Sequence, residues 1–431
     1  MTGAALLLAV FVVYALTASR LERAWISAPI VFVATGFVLG PAVLGLLAPR
    51  AENDALLRLT ELTLAILLFA DAATVRLGAL REDVALPGRL LAIGLPLTMV
   101  LGAALAAPIL GVPWPVAALV ATILAPTDAA LGLAVVTDRA VPVRIRRTLN
   151  VESGLNDGIV TPFVTLFLTI VATEEFVRQG SWAVGAAVEL GLAVVAAVVV
   201  GGGGGLAFAE SRRRGWMTPI SEEVAVLSLA LLSYMGAVAI GGNGFVAAFG
   251  GGLLFAALSR ARDAEPTAGM EPDTREAVEF TETIGMLASF IVWVVFGALF
   301  VGPVLTHVPA FEAVVYAVLS LTVIRLVPVA IALAGTHLRA DTVGFIGWFG
   351  PRGLASVVFS LIAIEELAAT PVAEPILEVV TLTILGSVVL HGVTAKPLAA
   401  LYGRRVRADG TALELAKVSE PRVRRKALTR R

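Results

Sequence analysis

The chain has 431 residues, of which 58% are hydrophobic and only 15% charged, and its mean hydropathy is +0.91. A soluble domain of this length needs far more charge to cover its surface, so a soluble globular protein is excluded. The formal net charge is -1, and the lack of cysteine excludes disulfide frameworks and thiolate metal sites.

Apolar stretches of about twenty residues, the length needed to cross a membrane, recur along the whole chain. Turn residues alone, near Gly111 and Gly241, separate two pairs of stretches, and we interpret each pair as two tightly joined helices. The first stretch lacks the flanking features of a cleaved signal, so we expect a membrane helix there. The sequence predicts an all-α polytopic membrane protein of about thirteen transmembrane helices, over residues 3–18, 25–47, 56–74, 88–111, 113–136, 149–172, 182–208, 220–240, 243–259, 281–303, 309–334, 342–364 and 375–400.

Arginine is distributed unevenly among the predicted loops. With the N-terminus extracytoplasmic, every predicted inside loop carries a basic residue, whereas most outside loops carry none. This pattern follows the positive-inside rule and predicts a cytoplasmic C-terminus. Chance clustering is the alternative, but it does not explain the acidic outside loops at residues 174–175 and 365–366. We expect a transmembrane domain over residues 1–402 and a basic cytoplasmic tail over residues 403–431.

The densest polar segment within the membrane is Asn-Val-Glu-Ser-Gly-Leu-Asn-Asp-Gly, residues 150–158. On a helix, Ser153 and Asp157 share one face, and Glu152 with Asn156 forms a second stripe about 100° round. One stripe can present oxygen atoms to a cavity while the other faces a neighbouring helix, and oxygen ligands suit hard cations. A polar helix end at the interface is the alternative, but Asp157 lies roughly 15 Å into the stretch.

A helix break is predicted inside the fifth stretch, at Leu-Ala-Pro-Thr-Asp-Ala, residues 124–129. Pro126 cannot continue the helical hydrogen-bond ladder, and a break in mid-membrane is tolerated only where freed backbone groups face a cavity or protein. Thr127 and Asp128 then lie where backbone and side-chain oxygens can converge. An ordinary proline kink, with Asp128 capping the next half-helix, is the alternative and is compatible with ion binding.

A second break is predicted in the twelfth stretch, at Gly350, Pro351, Arg352 and Gly353. If helices 1–6 repeat as helices 8–13, the interrupted fifth and twelfth helices are partners, and their odd spacing makes the repeats inverted. Paired interrupted helices are a sequence indicator of a transporter's midplane site. A buried arginine would offset the negative C-termini of the half-helices, and Asp128 the positive N-termini.

Three further groups are singled out within the apolar stretches. Arg325 is a buried cation that needs a carboxylate partner, for which Glu152 is the natural candidate. Asp71 ends the third span and could reach the site, although an interfacial acid near Arg76 is an equal alternative. The glycine run at residues 201–205 indicates close helix packing or a local kink.

At these residues the chain resembles the NhaP-type sodium/proton antiporters of the monovalent cation:proton antiporter superfamily. The resemblance covers nearly the whole chain, and its most specific motifs are residues 126–128, residues 152–157, Arg325 and residues 350–353. It implies two crossed discontinuous helices within a six-helix core. That core would comprise helices 4–6 and 11–13, with the remaining helices forming a dimer or scaffold domain of a homodimer.

The resemblance also implies a role for each site residue. Asp157 would bind the cation and, alternately, the proton, with Thr127, Asp128 and Ser153 coordinating Na⁺ directly or through water. Asp71, where some relatives carry Glu, would be a further ligand candidate with a shorter reach. Asn156 would hold the unwound segment in shape and, since it is not Asp, indicates the electroneutral branch. The remaining structural residues at the site would be Glu152 with Arg325 and Arg352 as an ion-pair cluster, together with Pro126 and Pro351.

We therefore expect a secondary active transporter of the cell membrane, not an enzyme, exchanging Na⁺ or Li⁺ for protons and serving pH homeostasis. Its partners would be the cation, the proton, membrane lipid and a second copy of the chain, with no cofactor and no nucleic acid. K⁺/H⁺ exchange and cotransport of an organic anion with Na⁺ on the same fold are open alternatives. A channel or an intramembrane aspartyl protease, pairing Asp128 with Asp157, is the alternative from another class.

Overall fold

A computed structural model describes residues 2–47, 54–75, 85–128, 131–172, 182–260, 274–368, 370–408 and 414. Within these ranges every regular element is a helix. When continuous and interrupted segments are grouped, the helices of these ranges number thirteen, as predicted, and the fifth and twelfth are interrupted. The first six are α1 (Thr2–Arg23), α2 (Ala28–Leu39), α3 (Asp54–Thr74), α4 (Ala85–Leu110), α5a (Trp114–Ile123) with α5b (Leu133–Val136), and α6 (Val143–Ala172).

The second half of the chain continues the same series. α7 and α10 each contain a π-helical turn, and α11 contains a single non-helical residue, Thr322. The seven helices are α7 (Trp182–Ala196, Ala197–Gly202 and Gly203–Arg213), α8 (Pro219–Ala239), α9 (Gly244–Arg260), α10 (Thr274–Phe296, Gly297–Val301 and Gly302–Thr306), α11 (Phe311–Ala332), α12a (Ala340–Trp348) with α12b (Leu354–Leu367), and α13 (Ala373–Ala408).

Length and composition allow seven of the described helices to cross a membrane, and four shorter apolar helices accompany them. Both predicted tight connections are confirmed. Gly111 (φ 64°) ends α4 and Gly241 (φ 81°) follows α8, and each adopts a left-handed backbone conformation that favours glycine. Each connection therefore joins two separate helices, and the number of described helices stays odd, as predicted.

Two spans end elsewhere than the hydropathy predicts. α2 ends at Leu39, whereas the second apolar stretch runs to residue 47. Gly40 and Pro41 follow, and the backbone turns back, since Leu47 donates its N–H to the carbonyl of Leu39 at 2.7 Å. At the other end of the chain α13 continues to Ala408, past the predicted domain boundary at residue 402. The basic tail beyond it lies outside the described residues, except for Glu414.

The contacts divide the chain into two compact units. Unit 1 comprises Met1–Leu57, Ala85–Asn156 and Phe290–Arg431, and unit 2 comprises Arg58–Val84 and Asp157–Ser289. In unit 1, stacked Phe32 and Phe290 rings lie 4.5 Å apart within an aromatic group that packs α1 and α2 against α10. The predicted division into core helices and a dimer domain stays a prediction.

In unit 2, glycines allow helix backbones to approach closely. A Cβ atom at Gly201 in α7 would collide with the backbone of Gly251 in α9, and one at Gly252 would collide with the carbonyl of Phe69 in α3. Gly201 and Gly202 also close the π-helical turn of α7. The glycine run at residues 201–205 thus serves helix packing, as its sequence predicts.

Candidate cation-binding site

The two interrupted helices meet at their breaks, which lie in unit 1. Residues more than 220 positions apart in the sequence form backbone and side-chain hydrogen bonds with each other there. The N–H of Asp128 donates to the carbonyl of Pro351 at 2.8 Å, and the hydroxyl of Ser356 donates to the carbonyl of Ile123 at 2.7 Å. The breaks therefore satisfy each other's freed backbone groups, as an interruption in mid-membrane requires.

The carboxylate of Asp128 accepts backbone hydrogen bonds from both interrupted helices. Its Oδ1 accepts from the N–H of Leu131 at 3.3 Å, just before α5b, and its Oδ2 accepts from the N–H of Leu354 at 3.0 Å, the first residue of α12b. The bond to Leu354 confirms the predicted neutralisation of a half-helix N-terminus by Asp128. The N-cap of the next half-helix, α5b, is Gly132 and not Asp128.

Arg352 acts on the opposite ends. Its fully buried guanidinium donates from Nη1 to the carbonyl of Ala125 at 2.7 Å and to that of Pro126 at 3.4 Å. Nη2 donates to the carbonyl of Ser320 at 3.2 Å, near the C-terminus of the first half of α11. These carbonyls carry the partial negative charge of half-helix C-termini, so the predicted charge complementarity of the arginine is also confirmed.

The two glycines of the second break are required by their neighbours. A Cβ atom at Gly350 would lie 2.5 Å from Nε of Arg325 and 3.1 Å from Cγ2 of Thr127. A Cβ atom at Gly353 would overlap the carboxylate of Asp128. The Gly-Pro-Arg-Gly sequence is thus explained by the close approach of charged side chains from two other helices to this backbone.

Thr127 connects the two polar stripes of α6. Its hydroxyl lies 2.9 Å from that of Ser153, and it accepts a hydrogen bond from Nδ2 of Asn156 at 2.6 Å. All three side chains are buried. We expected the stripes to face different surroundings, yet residues of both converge on this one hydroxyl. Asn156 thereby ties the first break to α6, consistent with its expected structural role.

The predicted partnership of Glu152 and Arg325 is confirmed by a contact of 2.6 Å between Oε1 and Nη1. Both side chains are 2% exposed. The hydrogen bonds described for the guanidinium of Arg352, in contrast, go to carbonyl oxygens and not to Glu152. The expected cluster of one carboxylate and two arginines is therefore one ion pair beside a guanidinium that binds the backbone.

The remaining two candidate ligands belong to unit 2. Asp157 directly follows Asn156 on α6, is half-buried, and lies one turn beyond Ser153 on the same helix face. Its carbonyl accepts from the hydroxyl of Thr161 at 2.8 Å. Asp71 is half-buried near the end of α3, and its carbonyl accepts from Thr74. A role for Asp71 as a ligand stays a prediction.

Sequence reasoning missed two polar residues of α13 that contact the second break. Ser387 and His391 are buried and lie four residues apart, so they share one helix face. Their hydrogen bonds reach the backbone of Arg352 and Trp348. A histidine one turn from a serine in the middle of a predicted span is the signal that could have indicated them.

Comparisons with known proteins agree with this architecture. A family model described as "Sodium/hydrogen exchanger, transmembrane" matches residues 6–401. The K(+)/H(+) antiporter NhaP of Alkalimonas amylolytica is 25% identical over 379 residues, which are 87% of this chain. The chain spans 62% of the length of that relative.

Two solved structures of the sodium proton antiporter MjNhaP1 from Methanocaldococcus jannaschii share the fold. The structure at pH 8 has a TM-score of 0.72 at 21% identity, covering 93% of this chain and 98% of that one. An electron-microscopy structure has a TM-score of 0.67 at 22% identity, covering 93% and 97%. Since the family model spans most of the chain, the chain belongs to the transmembrane sodium/hydrogen exchanger family, whose proteins are transporters and not enzymes.

Proposed function

We propose that the chain is a secondary active antiporter that exchanges Na⁺ or Li⁺ for protons, one for one, by alternating access. The cation and the proton compete for the carboxylate of Asp157. The observation that supports this best is the buried cluster at the first break, where the hydroxyl of Thr127 contacts Ser153 and Asn156. Asp157 follows these residues of α6 without interruption.

The donor atoms favour a hard monovalent cation. Thr127 and Ser153 supply hydroxyl oxygens, Asp128 and Asp157 supply carboxylate oxygens, and Asp71 is a fifth candidate. Such oxygen ligands suit alkali cations and not soft metals. Asp128 already accepts two backbone N–H groups, so we assign it a ligand role directly or through water, without displacement of its capping bonds.

We assign the exchange to Asp157 because the carboxylates of Glu152 and Asp128 are engaged in other contacts. Glu152 is matched to Arg325, and Asp128 accepts from Leu131 in the first break and from the first N–H of α12b, so both negative charges serve the scaffold. Asn156 cannot ionise. A single carboxylate, neutralised either by a cation or by a proton, then crosses the membrane with the same charge in each direction.

Alternating access would require the core helices α4–α6 and α11–α13 to rock against the remaining helices. In this proposal the protein works as a homodimer in a cell membrane, with an extracytoplasmic N-terminus and a cytoplasmic C-terminus. It would contribute to pH homeostasis and would need no cofactor beyond the transported ions. K⁺/H⁺ exchange is the second candidate, favoured by the name of the NhaP relative from Alkalimonas amylolytica.

Proton flux in proteoliposomes on addition of Na⁺, Li⁺ and K⁺ in turn tests the proposal. We expect Na⁺ and Li⁺ to release protons through the wild type, and Asp157→Asn to abolish the flux while remaining folded. The matched control is Asp54→Asn, which makes the same chemical change at an exposed position in the first turn of α3. Sodium-dependent flux at the wild-type rate in Asp157→Asn would transfer the role to another acid. Flux with none of the cations would contradict exchange altogether.

A further inference from the structure

α13 presents two polar side chains to the second break that the proposed mechanism does not use. Ser387 and His391 are 0% and 2% exposed, and one helical turn separates them. The N–H of Arg352 donates to Oγ of Ser387 at 2.6 Å, and Nε2 of His391 lies 2.8 Å from the carbonyl oxygen of Trp348. One helix face thus contacts the backbone on both sides of Gly350 and Pro351.

The two backbone groups are among those that the break leaves without helical partners. Trp348 is the last residue of α12a, so its carbonyl has no N–H four residues further along a helix, and within the break it accepts from the N–H of Gly350 at 2.9 Å. Arg352 precedes α12b, and its N–H has no carbonyl in a preceding turn. α13 supplies the N–H of Arg352 with its acceptor and the carbonyl of Trp348 with a second donor.

The partners determine the protonation of the histidine. A carbonyl oxygen only accepts, so Nε2 of His391 carries the proton that it shares with Trp348. Nδ1 lies 3.1 Å from Oγ of Ser387 and 2.9 Å from the carbonyl oxygen of the same residue. The first contact fits a neutral ring that accepts from the serine hydroxyl, whereas the second fits a doubly protonated ring that donates to the carbonyl.

The charges around the ring decide between these forms. Arg352 and Arg325 are the charged groups that act on His391, and both are cations buried in apolar surroundings. Glu152 is the only carboxylate described in contact with either arginine, and it pairs with Arg325. A third positive charge here would be costly, so the neutral ring is favoured.

We propose that His391 and Ser387 are positioning residues of the transport site, and that His391 acts as a neutral Nε2–H imidazole. The hydrogen bonds then run in one direction, from the N–H of Arg352 to Ser387, from Ser387 to Nδ1, and from Nε2 to the carbonyl of Trp348. They hold the backbone from which the Arg352 side chain reaches Ala125 and Pro126, so they set the geometry of the first break. For its transport readout the inference rests on the proposed exchange.

Substitutions separate positioning from proton transfer. In His391→Gln the amide can donate to Trp348 and accept from Ser387 but cannot ionise, whereas His391→Leu can do neither. In His391→Leu the Trp348 carbonyl keeps only its local partner Gly350, and the buried Ser387 hydroxyl loses its acceptor, so we expect exchange to slow about tenfold or more. We expect His391→Gln to restore most of the rate with an unchanged pH profile. His307→Gln, at an exposed histidine, is the matched control. Equal loss in Gln and Leu variants, or a shifted pH profile in the Gln variant, would overturn the proposal.

Nitrogen NMR of histidine-labelled protein gives a readout that needs no transport. The chain has 3 histidines, so the His391→Gln spectrum assigns the buried ring directly. We expect His391 to keep one protonated nitrogen, Nε2, between pH 5 and 8. Two protonated nitrogens on His391 at neutral pH would overturn the neutral form. If the wild type exchanges no cation, the proposed function fails, whereas this spectrum still tests the protonation of the ring.

Discussion

Glu152→Gln and Arg325→Ala, made singly and together, test how the buried ion pair stabilises the site. At a separation of 2.6 Å the Coulomb attraction is about 6 kcal/mol for an effective dielectric constant near 20. The cost of removing both ions from water offsets most of it, so the pair itself contributes little net stability. Removal of one partner has a larger effect on stability, because the surviving charge remains buried without compensation.

We expect each single substitution to lower the free energy of unfolding by about 3–5 kcal/mol. Glu152→Gln should lie at the upper end, since it leaves the guanidinium of Arg325 close to Gly350 and near the second buried cation, Arg352. The double variant buries no orphaned charge at these two positions, so it should recover part of the loss, with a coupling of about 2–3 kcal/mol.

The four members of this double-mutant cycle are the wild type, the two single variants and the double variant. Thermal and denaturant unfolding of each purified protein in one detergent gives their free energies of unfolding. The pair of Glu210 and Arg213 at the end of α7 provides the matched control, because its side chains are 23% and 68% exposed. Glu210 also accepts from Arg214, and we expect little or no coupling between Glu210 and Arg213 in the control cycle. Losses that simply add for Glu152 and Arg325 would show that the contact does not couple them and would refute this reasoning.

Four further predictions concern the second break, the contacts of Glu414, the stoichiometry of exchange and the membrane topology. Gly353→Ala should abolish exchange and lower the melting temperature, because its Cβ atom would overlap the carboxylate of Asp128; an active variant of normal stability would contradict that contact. Glu414→Ala should destabilise the protein by about 1–2 kcal/mol in denaturant unfolding, because Glu414 accepts from Arg339 and Thr342 at the start of α12a; an unchanged midpoint would show that the contact contributes nothing. With the membrane potential clamped, exchange should stop where the sodium and proton gradients are equal; a voltage-dependent stopping point, reflecting about 2.3 kcal/mol per charge per 100 mV, would exclude one-for-one exchange. Reporter fusions should place the N-terminus outside and the C-terminus inside, and both ends on one side would refute thirteen crossings.

The sequence by itself determined the features that depend on neighbours along the chain. Apolar length predicts thirteen helices, and the turn glycines at Gly111 and Gly241 preserve that number. Pro126 and Pro351 locate both breaks, because a proline interrupts the local hydrogen-bond ladder whatever surrounds it. Each of these inferences rests on a constraint that one segment carries alone. The pairing of Glu152 with Arg325 joins distant segments, and it could be predicted because each is a charge within an apolar stretch that needs compensation.

Only the tertiary structure decided which side chains meet at the breaks. Nothing in the periodicity of α5 or α12 indicates that Asp128 caps a helix beginning 226 residues later, or that Thr127 contacts both stripes of α6. The contribution of Ser387 and His391 was also hidden, because their partners are backbone atoms, which carry no residue-specific signal. Freed backbone groups in a membrane must find partners, but the packing of distant helices selects which side chains those partners are.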